Sequence, residues 1–397
     1  MTASRDYEAL VQRGLKLDLT RGKPSAQQLD LSDAMLKLPT TTKTGAGIDA
    51  RNYGDLQGLK ETRELFSAAL QVPAGQLVVG GNSSLAVMHD TIVFALLGTM
   101  PGAERRWAEQ EVTFLCPVPG YDRHFAICER YGIKMVAVPM TAEGPDMDVV
   151  ERLAADDPAV KGIWCVPKYS NPSGITYSDD VVRRLAAMPT AAADFRVFWD
   201  NAYAVHHLSD QHDQLADLLA LCEEYGNADR AFVFGSTSKV TLAGSGISFF
   251  GSSPANVEWF LSHTAKQSIG PDKLNQLRHV EFLRDADGIA AHMRGHAAIV
   301  APKFELVDQI LRKELGELAT WTAPHGGYFI TLEVPNAADV VARAKAAGIA
   351  LTPAGATHPY GQDPDDRFIR IAPTFPDLEE LEQAIYGLTV CVRAANA

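Results

Sequence analysis

The sequence lacks any excess of positive charge. Its 397 residues include 36 Lys and Arg against 49 Asp and Glu, which gives a formal net charge of −13. Binding to nucleic acid or to an anionic membrane depends on clustered basic residues, so this balance argues against both partners. The sequence also lacks apolar runs as long as a membrane span, and its first residues contain no apolar signal-peptide core. We therefore expect a cytoplasmic location.

Cysteine is scarce. The five cysteines are scattered and form no CxxC pair, which predicts reduced, mostly buried thiols rather than disulfides or a zinc site. His206, His207 and His212 cluster without metal-ligand spacing, so we expect polar loop residues there and no metal site. Residues 22–25 (GKPS) lack the upstream glycine of a P-loop, and residues 244–251 (GSGISFFG) do not fit the dinucleotide-binding spacing.

The organisation of the chain is that of a tightly packed α/β protein without repeats, low-complexity tracts or flexible linkers. Nearly continuous apolar strands that alternate with helices are typical of a mainly parallel sheet covered on both faces. Seven strands are predicted, at residues 76–81, 112–117, 134–140, 161–168, 196–203, 230–237 and 247–253. A long helix over 288–317 and the strands after it predict a small α+β domain. We expect an N-terminal arm (1–45) that joins this small domain, a large domain (46–290) and the small C-terminal domain (291–397).

Lys239 directly follows an apolar strand, in the run FGSTSKV. An amine that must attack an aldehyde, and so form a Schiff base, needs a fixed position and a lowered pKa. The hydroxyls of Ser236 and Ser238 lie close by in sequence and are suited to donate to a phosphate. Taken alone, the run is more typical of a solvated lysine at the end of a strand.

Asp200 ends the apolar run RVFWD, where an unpaired carboxylate would be costly. A protonated pyridine nitrogen is a suitable partner, since that ion pair keeps the ring an electron sink. Tyr203 could hydrogen-bond a ring oxygen, although Asp200 could instead cap the next helix. Asn171, in the turn NPSG, brings an amide to the same sheet edge, where ligands of open α/β sheets collect. In this order, with Lys239, these residues describe a pocket for pyridoxal phosphate (PLP).

With these motifs the chain resembles the fold-type I, PLP-dependent aminotransferases of the class I/II group over nearly its whole length. The resemblance implies further roles for matched positions: Tyr53 at the phosphate of the other subunit's cofactor, Asn82, Ser83 and Ser84 in the phosphate-binding turn, Tyr121 stacked on the pyridine ring, Arg370 with Asn171 on the substrate α-carboxylate, and Pro324–Phe329 in a loop near the substrate.

One position departs from the pattern of that family. Most relatives carry an arginine soon after the lysine, where it pairs with the cofactor phosphate, and here Gly246 or Ile247 stands in its place. This departure, together with runs such as LDLTRGKPS and QSIGPDKLNQLRH, resembles a bacterial branch of aspartate aminotransferases outside the main subgroups. Substrate binding is expected at Arg370, Asn171, Gly22, Arg21 and Lys273. The cations available for a distal carboxylate are Arg21, Lys23, Arg123, Lys266 and Lys273.

The resemblance implies a homodimer with shared active sites that binds PLP and transfers an amino group between an amino acid and a 2-oxo acid by a ping-pong mechanism. L-Aspartate and 2-oxoglutarate are the expected substrates, on the resemblance alone. Two alternatives stay open. One is another PLP reaction on the same scaffold, such as β-elimination or transfer from a different donor, and the other is a non-catalytic regulatory protein of the same fold.

Overall fold

The computed structural model describes residues 2–397. The strands are β1 (Leu17–Asp18), β2 (Leu77–Val79), β3 (Thr113–Val118), β4 (Lys134–Thr141), β5 (Gly144–Pro145), β6 (Val160–Cys165), β7 (Arg196–Asp200), β8 (Ala231–Ser236), β9 (Ser248–Gly251), β10 (Thr320–Trp321), β11 (Ile330–Glu333), β12 (Ile349–Ala350) and β13 (Phe368–Ile371). The α-helices are α1 (Thr2–Gln12), α2 (Ala26–Asp30), α3 (Lys60–Leu70), α4 (Ser84–Leu97), α5 (Asp122–Arg130), α6 (Met147–Asp156), α7 (Asp179–Ala187), α8 (Leu218–Glu224), α9 (Pro254–Gln267), α10 (Lys273–Leu283), α11 (Ala286–Leu315), α12 (Ala337–Ala346) and α13 (Leu378–Ala395).

The central sheet has eight strands in the order β2-β9-β8-β7-β6-β3-β4-β5. The five strands from β8 to β4 run parallel, whereas β9 is antiparallel to both of its neighbours and β5 is antiparallel to β4. All seven predicted strands are present, and the two-residue β5 extends the sheet at one edge. The predicted α/β fold with a mainly parallel sheet is therefore confirmed.

Successive residues of the central strands face opposite sides of the sheet, as the pleat requires. Leu115, Ile163, Val197 and Val233 belong to one buried cluster. Their strand neighbours Phe114, Trp164, Phe198 and Phe232 belong to a second cluster on the other face. Because both faces are buried under helices, these strands are apolar throughout, and their polar residues are confined to the strand ends.

The C-terminal part of the chain forms a three-stranded antiparallel sheet in the order β10-β11-β13. The N-terminal segment joins it, since β1 pairs in parallel with β12 and α1 packs against α13. One hydrophobic cluster holds these elements together and includes Leu10, Leu19, Val307, Leu332 and Ile385. The domain boundaries at residues 45 and 290 stay predictions.

Two further features of the described residues bear on the sequence analysis. The five cysteines are buried and carry free thiols. Between residues 2 and 397, no helix combines the length and the apolar character that crossing a bilayer requires.

Candidate functional site

A cavity of about 180 Å³ lies at the carboxyl ends of the parallel strands β3, β6, β7 and β8. These four strands are adjacent in the sheet, so the residues that follow them converge although they are distant in sequence. Eight of the predicted site residues line the cavity: Gly22, Ser84, Tyr121, Asn171, Asp200, Tyr203, Lys239 and Arg370. The open α/β sheet thus places its candidate site where such sheets generally bind ligands.

Lys239 projects into this cavity beside two aromatic rings. Its Nζ lies 5.0 Å from the ring centroid of Tyr203 and 5.8 Å from that of Tyr328. Burial lowers the pKa of the Lys239 amine, and the negative charge of Asp200 opposes this shift in part. A lowered pKa leaves more of the amine neutral, which is the form that attacks a carbonyl carbon.

The main-chain carbonyl of Lys239 accepts a hydrogen bond from His206. His206 lies in a loop, as predicted, but only 5% of its surface is exposed. Its Nε2 lies 3.2 Å from the carbonyl oxygen of Lys239 and donates to it. Burial, together with the nearby charge of Lys239, lowers the pKa of His206 well below its ordinary value. The sequence does not predict this burial, because residues distant in the chain cover the histidine.

Asp200 is buried at the end of β7 and has one free carboxylate oxygen. Its Oδ2 accepts a hydrogen bond from His124 Nε2 at 3.0 Å, and the side chains of Asp200 and His124 are 5% and 2% exposed. Its Oδ1 has no partner among the described residues. A buried, unpartnered anionic oxygen is costly unless a donor or a cation binds it. Asp200 Oδ1 is therefore suited to accept a hydrogen bond from a positively charged N–H group.

His124 was missed by the sequence analysis. It lies on the first turn of α5, and its ring stacks on Trp164 with centroids 4.3 Å apart. The signal in the sequence is its spacing, three residues after Tyr121, which carries the imidazole back toward the sheet edge. The spacing alone does not predict a contact with Asp200, because that contact depends on how closely α5 packs against the end of β7.

Two tyrosines line the cavity beside Asp200. Burial raises the pKa of Tyr203 well above its ordinary value and, with the charge of Asp200, raises that of Tyr121 to about 12. Both phenols therefore stay protonated at neutral pH and act as neutral hydrogen-bonding groups.

Arg370 reaches the cavity from β13, opposite Thr331 of β11. Its Nη1 donates to Asp122 Oδ1 at 2.9 Å and to Asn171 Oδ1 at 3.4 Å. The guanidinium carbon lies 4.9 Å from the ring centroid of Phe329. The bond between Asn171 and Pro172 is cis. The structure thus brings together Arg370 and Asn171, which the sequence analysis assigned jointly to one carboxylate.

Five residues predicted to bind the phosphate lie near the start of α4. Ser83 caps this helix, and its hydroxyl accepts a hydrogen bond from the first turn. Ser238 Oγ donates to the main-chain carbonyl of Asn82 at 3.2 Å, and Ser236 Oγ donates to Ser238 Oγ at the same distance. The N-terminus of a helix attracts anions, and hydroxyl groups add donors. Ser84, the first residue of α4, connects this serine cluster to the cavity.

The position of the missing arginine is tightly packed. A Cβ atom added to Gly246 would lie 3.0 Å from Thr237 Oγ1 and 3.3 Å from the main-chain nitrogen of Ser238. Ile247 is 2% exposed and belongs to a core cluster. An arginine at either position would disturb the loop that carries Lys239.

Three predicted residues lie outside both the cavity lining and the serine cluster. Arg21 pairs with Asp18 at 2.8 Å and is largely exposed. Lys273 is buried, and its Nζ donates to Asp55 Oδ2 at 2.8 Å and to the carbonyl of Tyr53 at 3.2 Å. The Tyr53 side chain is 78% exposed. Of the five candidate cations for a distal carboxylate, Arg123 alone lines the cavity among the described residues.

Comparison with known proteins identifies the family to which the chain belongs. The family model described as aspartate amino-transferase matches residues 1–397. A Mycolicibacterium smegmatis protein, named as a candidate aminotransferase, is 54% identical over 400 residues, which cover 98% of this chain and 94% of that protein. An aspartate aminotransferase of Corynebacterium glutamicum is 49% identical over 400 residues, which cover 99% of this chain and 92% of the relative.

Solved structures agree with the sequence comparison. An aspartate transaminase from Corynebacterium glutamicum superposes with a TM-score of 0.97 and 48% sequence identity, over 99% of this chain and 94% of that chain. The chain therefore belongs to the aspartate aminotransferase family, a group of fold-type I, PLP-dependent aminotransferases.

Proposed function

We propose that this aminotransferase binds PLP and transfers the amino group of L-aspartate to 2-oxoglutarate in a ping-pong cycle. The observation that carries the proposal is one cavity that joins Lys239, the unpartnered Oδ1 of Asp200 and Arg370. The choice of aspartate is supported by the name of the Corynebacterium glutamicum relative at 49% identity.

The residues present fit PLP. Asp200 Oδ1 would hold the proton of the pyridine nitrogen, and Tyr203 would donate to the ring oxygen. Tyr121 would cover the ring, and the serine cluster at the start of α4 would bind the phosphate. When bound, PLP supplies an electron sink that stabilises negative charge at the substrate Cα. Since neither Gly246 nor Ile247 supplies a guanidinium, hydroxyls, amides and the helix N-terminus would provide most of the phosphate binding.

The other roles belong to residues that touch the amino acid. Arg370 would bind its α-carboxylate through the planar guanidinium, and Asn171 would fix the orientation of that pair. Lys239 Nζ would accept the proton from the substrate Cα and return it from the same side of the cavity. The lowered pKa of Lys239 supports this role, because a general base must be largely neutral at the working pH.

Arg123 is our candidate for the distal carboxylate of aspartate. It lines the cavity, and its side chain makes neither an ion pair nor a hydrogen bond within residues 2–397. An exposed charge pair contributes up to about 1 kcal/mol, so Arg123→Gln should weaken succinate binding to the holoenzyme about fivefold. Binding of the monocarboxylate propionate should not change. Arg21→Gln, which removes a positive charge outside the cavity lining, is the matched control and should leave succinate binding unchanged. Equal losses of succinate and propionate affinity in Arg123→Gln would refute the assignment.

A homodimer with shared active sites is supported by an exposed apolar surface. Tyr53 and Ile269 are 78% and 65% exposed. Their segments touch, because a Cβ atom at Gly270 would overlap the carbonyl oxygen of Gly54. Exposed aromatic and aliphatic side chains in one patch are typical of protein interfaces. Sedimentation of the holoenzyme tests whether the protein is a dimer. Tyr53→Ala should weaken PLP binding if the phenol reaches the phosphate of the cofactor in the other subunit.

The first test is the visible spectrum of the PLP-bound protein, recorded before and after L-aspartate is added without an oxo acid. A shift of the cofactor band to shorter wavelength would support the first half-reaction with aspartate. A band that aspartate leaves unchanged would refute this donor, and a protein that takes up no PLP would refute the cofactor.

Lys239→Ala tests the assigned base. We expect loss of the aspartate-induced band shift in a protein that still folds, because the variant removes the amine that forms the Schiff base and accepts the proton. Lys60→Ala, at a lysine that is 72% exposed, controls for the loss of one positive charge. Full transamination by Lys239→Ala would refute the mechanism.

A further inference from the structure

Arg370 already carries an anionic partner within the chain. Asp122, the first residue of α5, places Oδ1 2.9 Å from Arg370 Nη1, and the two side chains are 32% and 9% exposed. Both residues line the cavity that contains Lys239. The pair joins a helix that flanks the central sheet to a strand of the three-stranded sheet, and 248 positions separate its members.

This pair interferes with the role proposed for Arg370. A guanidinium binds a carboxylate best through two parallel N–H bonds. Here Nη1 is engaged by Asp122 and Asn171, and Nε donates to Thr352 Oγ1 at 3.3 Å. An incoming α-carboxylate therefore meets an arginine whose charge is already compensated.

We propose that Asp122 is a resident counter-anion, which the substrate α-carboxylate displaces from Arg370 and which returns when the product leaves. This inference rests on the proposed function, since it takes Arg370 as the carboxylate-binding residue. A buried guanidinium without a partner is strongly destabilising, so Asp122 keeps Arg370 paired and oriented in the empty site. The exchange of one carboxylate for another lowers substrate affinity, but leaves Arg370 paired in both states.

The position of Asp122 offers a simpler explanation that the contacts do not support. An acidic residue in the first turn of a helix is favourable because it faces the positive end of the helix dipole. Among the described residues, however, the Asp122 side chain forms no hydrogen bond with the main chain of α5, and its Oδ1 is directed at Arg370. Since Asp122 is about one-third exposed, a displaced carboxylate can turn toward solvent.

The test measures binding of two unreactive carboxylates, propionate and succinate, to the PLP-bound enzyme by calorimetry. In Asp122→Asn the competing charge is lost while the shape is kept. A partly exposed pair is worth about 1 kcal/mol, so both probes should bind about fivefold more tightly. The KM values for mono- and dicarboxylic amino acids should fall by a similar factor.

Two control variants separate displacement from general electrostatics. Asp122→Glu keeps the anion and should bind the probes with nearly wild-type affinity. Glu129→Gln removes the same charge from an exposed position about two turns further along α5, and should leave the affinities unchanged. Thermal midpoints of the variants establish that each is folded.

The outcomes are distinct. Unchanged or weaker binding of propionate by Asp122→Asn would overturn the inference, because Asp122 would then only orient Arg370. An equal gain in Glu129→Gln would also overturn it, since the effect would be long-range. A gain confined to Asp122→Asn would support displacement even in an enzyme whose cofactor band does not respond to aspartate. The unresponsive cofactor band would refute only aspartate as the amino donor.

Discussion

The hydrogen bond between His124 and Asp200 leads to the sharpest prediction. His124→Phe should keep the ring that stacks on Trp164 while removing the Nε2 donor that faces Asp200. Because both side chains are nearly inaccessible to water, no solvent molecule can easily replace the lost donor. The carboxylate of Asp200 would then have no donor on either oxygen in the empty site.

The size of the effect follows from the charge and burial of this pair. A hydrogen bond to a charged group contributes about 2 kcal/mol, which corresponds to a change of roughly thirtyfold. A carboxylate that has lost this donor is more basic, so the proton that it shares with the pyridine nitrogen would lie closer to Asp200, and the electron sink that PLP supplies would be weaker. We therefore expect the rate of the aspartate-induced band shift in His124→Phe to fall roughly thirtyfold, with weaker binding of PLP.

The assay is stopped-flow absorbance of the PLP-bound variants at saturating aspartate, together with equilibrium binding of PLP. His124→Gln is the matched control, since its Nε2 can reach Asp200 without a ring, and it should recover much of the rate. A rate within about threefold of wild type in His124→Phe would refute the reasoning. A loss in His124→Gln as large as in His124→Phe would show that a donor facing Asp200 is not sufficient and that the aromatic ring is required as well.

Two further predictions concern packing and pH. Gly22→Ala should lower the thermal midpoint and weaken carboxylate binding, because its Cβ would overlap the Phe329 ring beside Arg370, whereas Gly75→Ala, with open space around it, should be neutral. Buried His279 has its pKa lowered to about 4, so between its ordinary value of 6.5 and about 4 the unfolded chain binds a proton that the folded chain does not. Stability should fall as the pH drops through that window, by about 2 kcal/mol at about pH 5 for this residue, and His279→Gln should show a smaller shift of thermal midpoint between neutral and acid pH. An unchanged acid shift in this variant would contradict the assignment.

The sequence determined the fold class and the chemistry of the strand ends. The seven strands could be predicted from the sequence because a strand that is buried on both faces is apolar throughout. Polar residues therefore mark the position where each strand ends. Asp200 and Lys239 were identified in this way, and the structure brings them into one cavity with Arg370. The short edge strand β5 carries only two residues, which is too few to form a pattern.

The tertiary structure decided which partner each of these residues has. Asp122 and Arg370 are 248 positions apart, and His124 and Asp200 are 76 apart, so no local pattern connects either pair. Such distances depend on how helices and sheets pack, and a single sequence records the packing only as general apolarity. For the same reason a residue type alone could not distinguish Arg123, which lines the cavity, from Lys273, which is buried against Asp55. The sequence determines which charged residues are present, and the packing of helices and sheets determines which of them are in contact.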